Sequence, residues 1–122
     1  MSRTADVVIV GGGVTGVSIA FSLAARGVRN ILVLERRFLA SGGTGRSVGI
    51  LRQLYPTTET TQMVVRSLRV FQQFRDVTGG DASYVACGCL IGVGPAMRST
   101  LETTVARQRA LGVKAEKVSE HA

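Results

Sequence analysis

The stretch DVVIVGGGVTG, residues 6–16, decides the fold. Asp6 to Val10 is a short run rich in β-branched residues that enters three glycines, the profile of a buried parallel strand ending in a tight turn. A helix should follow at once. Val14 to Arg26 places Val17, Phe21, Leu23 and Ala24 near helical spacing, and Gly27 stands where a left-handed residue ends a helix. Ile31 to Leu34 then reads as a second apolar strand, which closes a βαβ unit with an expected right-handed crossover.

Within this unit Gly11-x-Gly13-x-x-Gly16 opens the helix, and Glu35 ends the second strand 19 residues after Gly16. That spacing is a dinucleotide-binding fingerprint with a local physical basis. Gly11 allows the sharp turn, Gly13 leaves room for a pyrophosphate to approach the backbone, and Gly16 lets helix and strand pack closely. The free N–H groups and partial positive charge of the helix N-terminus suit phosphates. Glu35 can accept hydrogen bonds from both ribose hydroxyls and would repel a 2′-phosphate, which argues against NADP. A purely structural glycine turn is the weaker alternative, given the flanking elements and the acid. These residues select an adenine dinucleotide without choosing between FAD and NAD.

Arg36 to Tyr55 has no sustained period and is long for a structureless connection, so it is expected to be functional or disordered. Its centre, SGGTGRSVGILR (residues 41–52), lies where a flavoprotein chain returns along its cofactor and has small residues able to present backbone and hydroxyl groups. A glycine-rich surface loop is the alternative. Thr57 and Thr58 offer caps for a helix from about Glu59 to Val77, with Val64, Leu68, Phe71 and Phe74 on one stripe and Gly79 and Gly80 at its end. Short strands are predicted at Tyr84–Ala86 and Cys89–Val93. A helix is predicted from about Pro95, its Met97, Leu101, Val105 and Leu111 facing one way before Gly112. Val113 to Val118 alternates like a strand. Ser119 and Glu120 resemble the start of another helix, so the sequence is expected to be the front part of a longer protein.

The composition agrees with one small domain or less: 122 residues, 45% hydrophobic and 19% charged, with mean hydropathy +0.25. A chain of this length buries only about two-thirds of its unfolded surface, so it depends on good packing or on a partner. The net charge of +7 would suit a polyanion, but the basic residues, thirteen of fifteen of them Arg, are dispersed and few aromatics accompany them. A solvated surface is favoured over a nucleic-acid groove. Cys87 and Cys89 lie too close for an unstrained mutual disulfide, and with His121 as the single His no zinc set is expected. No signal peptide and no run of 18 apolar residues is present, so a cytoplasmic location without a membrane span is expected.

The chain resembles the FAD-dependent amine and amino-acid oxidoreductases of the D-amino-acid oxidase superfamily, on the side of the sarcosine oxidase β subunits and their dehydrogenase relatives. VVIVGGGVTGVSIAFSLAARGVRNILVLER and GGTGRSVGILRQLYP carry the resemblance specifically, and GCLIGVG and QRALGV carry it loosely. It implies an FAD site in which Gly11, Gly13, Val14, Thr15 and Gly16 meet the pyrophosphate, Glu35 and Arg36 meet the adenosine end, and Thr44, Arg46 and Ser47 continue toward the isoalloxazine. It also implies that Arg52 pairs with the carboxylate of an N-methylated or cyclic amino acid, a task suited to a bidentate guanidinium; an ordinary surface Arg is the alternative.

The expected fold is therefore α/β. Residues 1–80 would form a Rossmann-like FAD-binding part, and residues 81–122 would begin an incomplete α+β substrate domain. The expected parent activity is oxidation of an amino acid or N-methyl amino acid such as sarcosine to an imine, in which the cofactor does the difficult step. No general base or metal ligand can be named. Other subunits of a hetero-oligomer are possible partners, and a noncatalytic dinucleotide-binding fragment or subunit is the rival reading.

Overall fold

The computed structural model describes residues 4–118, so the helix start expected at Ser119 and Glu120, and His121, lie outside the described residues. The chain divides into two compact units, Met1–Ile50 and Leu51–Ala122.

In the first unit β1 (Val7–Val10) and β2 (Ile31–Leu34) pair in parallel, with Val7 opposite Ile31 and Val10 opposite Leu34. Parallel neighbours need a crossover, and α1 (Val14–Ala25) supplies it. The strands alternate along their length. Val7, Ile9, Ile31 and Val33 are half-buried on one face, whereas Val8, Val10, Leu32 and Leu34 stand exposed on the other. Helix α1 closes as its sequence demands: Gly27 adopts φ +91°, its N–H bonds to the carbonyl of Ala24, and the N–H of Val28 bonds to that of Leu23. This paired arrangement uses up carbonyls that the helix end would otherwise leave free.

The second unit begins with α2 (Thr58–Gln72), capped by the Thr57 hydroxyl, which accepts from the N–H of Thr60. Val64, Leu68, Phe71 and Phe74 form the expected half-buried stripe, and Thr61 at its head is fully buried. The single helix predicted to Val77 is broken. At Gln73 the backbone opens to φ −112° and ψ 27°, ending α2, and α3 (Phe74–Thr78) starts afresh before Gly79 terminates it in the left-handed region. The Phe71 and Phe74 rings stack across the break with centroids 6.0 Å apart.

The strands predicted at Tyr84–Ala86 and Cys89–Val93 do not form, nor does one at Val113–Val118. A strand exists only through ladder bonds to a neighbour, and among the described residues none pairs with these segments. In the first of them Ser83 at φ 50° and Gly88 at φ +73° also bend the backbone out of extension. Pro95–Met97 is a turn of 3-10 helix with Pro95 at its first position, and it leads into α4 (Arg98–Ala110). The face expected from Met97 onward starts later. Met97 is exposed, while Leu101, Thr104, Val105, Gln108 and Leu111 turn inward. Helix α4 ends like α1, with Gly112 at φ +84° and the N–H of Val113 bonded to the carbonyl of Gln108. Val113 is buried just beyond it. No helix among the described residues is long and apolar enough to cross a membrane.

Candidate functional site

The glycine turn between β1 and α1 is built so that each glycine answers a different constraint. Gly11 lies at φ +108°, a conformation that a side chain would strain. A Cβ on Gly16 would fall 2.1 Å from the Gly11 carbonyl oxygen, so only glycine lets the first turn of α1 sit against the turn that precedes it. At Gly13 a Cβ would meet the Thr44 hydroxyl at 3.1 Å. Gly12, which the spacing argument passed over, is the buried member of the triplet. A Cβ there would come 2.6 Å from Leu39 and 3.1 Å from Glu35.

Glu35 is locked in place by backbone. Its Oε2 accepts from the Gly12 N–H at 2.8 Å, and its Oε1 accepts from the Arg37 N–H at 3.0 Å. These donors, the Gly12 N–H foremost, hold the carboxyl below the usual carboxylate range; Arg36 adds its own N–H and its positive charge, and partial desolvation opposes them. Each carboxylate oxygen has a second lone pair left to accept from another donor. The side chain is thus ionised and oriented at the end of β2, next to the turn.

The return loop is ordered. The Ala40 N–H bonds to the Gly12 carbonyl at 2.9 Å, the Gly45 N–H bonds to the Ala40 carbonyl at 2.8 Å, and the Thr44 hydroxyl accepts from the Val14 N–H at 2.9 Å. Gly45 is a second residue that the motif reading missed: its Cβ would lie 2.5 Å from the Ala40 oxygen. Ala40 itself is held at φ 63°, a strained value for a residue with a side chain and one that tends to mark a functional turn. The signals were present in the sequence as the third glycine of the triplet and the last glycine of GGTG.

The structure thus gathers Gly11, Gly13, Val14, Gly16, Glu35 and Thr44 around the first turn of α1. Its earliest ladder bond runs from the Val17 N–H to the Gly13 carbonyl, so the N–H groups of Thr15 and Gly16 precede the ladder. Thr15 is exposed on that turn, and Arg36 is exposed just past Glu35. The Arg46 Nε donates to the Gly42 carbonyl at 3.3 Å, and Ser47 caps the same turn through its N–H to the Thr44 carbonyl. Arg52 belongs to the second unit, where it is exposed with its guanidinium carbon 5.4 Å from the centroid of the Tyr55 ring. Cys87 and Cys89 are free and exposed.

A glycine-lined turn, an open helix N-terminus and an oriented acid on the neighbouring strand define a nucleotide-handling α/β protein. Residues 6–122 match the family described as FAD dependent oxidoreductase, and the chain belongs to that family. It is similar to the 4-methylaminobutanoate oxidase (formaldehyde-forming) of Paenarthrobacter nicotinovorans, 35% identical over 83 residues that make up 68% of this chain and 10% of that protein. It is 35% identical over 89 residues to the sarcosine oxidase subunit beta of an Arthrobacter species, covering 72% of this chain and 22% of the relative. Rat mitochondrial dimethylglycine dehydrogenase is 32% identical over 75 residues, 62% of this chain and 9% of that enzyme. The chain therefore spans less than a quarter of the length of these relatives. FAD is the cofactor on which the family depends.

Proposed function

We propose that this chain carries the FAD-binding portion, of Rossmann-like type, of an oxidoreductase that acts on an amino acid or N-methyl amino acid such as sarcosine. The observation that carries the reading is the interlock of the glycine turn with Glu35 and Thr44: a backbone cradle closed to side chains beside an oriented carboxylate. In this reading Gly11, Gly13, Val14, Thr15 and Gly16 receive the pyrophosphate at the α1 N-terminus. Glu35 accepts from the ribose hydroxyls with Arg36 beside it, and Thr44, Arg46 and Ser47 follow the cofactor toward its flavin. FAD, when bound, supplies the two-electron acceptor for oxidation of a C–N bond to an imine. Arg52 holds the substrate carboxylate. The relatives named for methylamino and dimethylamino substrates support that substrate class. We further propose that residues 1–80 serve the cofactor and residues 81–122 begin the substrate side, a division by ligand that differs from the compact units.

A second reading, a noncatalytic dinucleotide-binding chain completed by another polypeptide, is favoured by one feature. The outer face of the parallel sheet, with Val10 85% exposed, is bare in a sheet type normally covered on both sides.

The test is a fluorescence titration of the purified chain with FAD and with NAD, alongside a Gly13→Val variant. FAD should bind in preference to NAD, and Gly13→Val should weaken FAD binding on the order of 100-fold or more while circular dichroism stays unchanged. NAD binding without FAD binding, or unchanged FAD affinity in the folded variant, would sink the assignment.

A further inference from the structure

The segment that presents Arg52 has no regular secondary structure, yet it is tied to helix α4 at three consecutive points. The Arg107 guanidinium donates through Nη1 to the Pro56 carbonyl at 2.5 Å and through Nη2 to the Tyr55 carbonyl at 3.1 Å. The Gln108 side-chain amide donates to the Gln53 carbonyl at 3.4 Å. Gln108 is only 4% exposed, which is uncommon for this residue type, and the Nε of Arg107 is buried with no partner. Helix α4 therefore accepts the cost of burying an amide and part of a guanidinium in order to grip one stretch of backbone. That stretch ends in Tyr55, whose half-buried ring carries the Arg52 guanidinium on its face. A cation stacked on a ring is steered as well as attracted, so the position of the ring fixes where the guanidinium points.

We propose that Arg107 and Gln108 are positioning residues for the substrate carboxylate: by holding the carbonyls of Gln53, Tyr55 and Pro56 they fix the Tyr55 ring and, through it, the Arg52 fork. The carboxylate part rests on the assignment of Arg52 made above; the anchoring part does not. A two-pronged guanidinium is suited to bridging adjacent carbonyls, which a single ammonium cannot do. A clamp that loses its aim by an ångström binds its ligand in the wrong orientation even though its charge is intact.

The experiment follows the Arg52 Nε–Hε resonance by NMR in the full chain, where the Tyr55 ring current displaces it upfield. Tyr55→Leu gives the value for a released guanidinium. Arg107→Lys and Gln108→Met keep the buried stems while removing the fork or the amide donor, and both should move the resonance toward the Tyr55→Leu value with α4 intact by circular dichroism. Titration with N-methylglycine should perturb the same resonance in the unaltered chain and require about tenfold more ligand in each variant. An Arg52 resonance unmoved in both variants overturns the proposal. A resonance that moves in the variants but ignores N-methylglycine upholds the anchoring and removes the carboxylate role. Should either variant unfold, the unaltered chain decides: slow exchange of the Arg107 Nη protons, with cross-peaks to the 53–56 backbone, is expected, and fast exchange without them overturns the proposal.

Discussion

The glycine turn at residues 11–16 and the segment at residues 81–94 draw on the same alphabet, apolar residues punctuated by glycine, and they behave in opposite ways. In the turn nearly every polar backbone group has a defined partner, and three of the glycines sit where a Cβ would collide with something specific. Along the segment, Gly88, Gly92 and Gly94 face open space, and the Cys87 N–H to Val85 carbonyl bond is a local one across two residues. Glycine is a requirement in the first region and only a permission in the second. What separates them is whether the neighbours that a residue needs lie close by in sequence: β1, α1 and β2 supply one another within some thirty residues, whereas the segment has no strand beside it among the described residues.

The strongest way to break this contrast is to add one methyl group to each region. Gly16→Ala should cost more than about 3 kcal/mol, enough to unfold the first unit, because the new Cβ is directed at a backbone oxygen that cannot move without dissolving the turn. Gly88→Ala should cost about 1 kcal/mol or less, the usual penalty for a side chain in the left-handed region, since nothing lies within reach of its Cβ. Thermal melts followed by circular dichroism compare the two directly, and equal effects would erase the distinction.

A smaller effect tests the carboxylate that closes the turn. Glu35 has a folded pKa below its ordinary value of 4.5, so its contribution is present above that value and is lost as pH falls through the lower folded pKa. The melting temperature should therefore drop on acidification below about pH 4.5, and Glu35→Gln should flatten that part of the profile. The smallest effect belongs to the other unit. Lys117 and Glu102 form an ion pair at 2.6 Å with both side chains about half exposed, and it also lowers the Glu102 pKa. Lys117→Ala should leave the melting temperature unchanged within scatter at physiological salt, because exposed pairs are screened and entropically costly.

Legibility in the sequence followed the same division. The bounds of β2 and the starts of β1 and α1 were readable to within a residue, as were the turning points at Gly27, Gly79 and Gly112 and the cap at Thr57, because each depends on residues a few positions away. The break at Gln73 was not readable: Gln is a good helix former, and the continuous stripe from Val64 to Phe74 argues for one helix. The three predicted strands failed because alternation records which side chains prefer cover and says nothing of whether a partner strand exists. At the candidate site, the spacing found Gly11, Gly13, Gly16 and Glu35, whose reasons are local. Gly12 and Gly45 escaped because their constraints come from Leu39, Glu35 and Ala40, and the grip of Arg107 and Gln108 on residues 53–56 spans more than fifty positions.

The bare outer face of the β1–β2 sheet has a thermodynamic corollary. Water ordered over Val8, Val10, Leu32 and Leu34 is released when any polypeptide covers them, so such an association carries a negative heat-capacity change and draws its driving force from solvent entropy near room temperature. Contacts of that kind weaken on cooling. A complex formed across this face would be firmer at 30 °C than on ice, a cold lability that polar joints do not share.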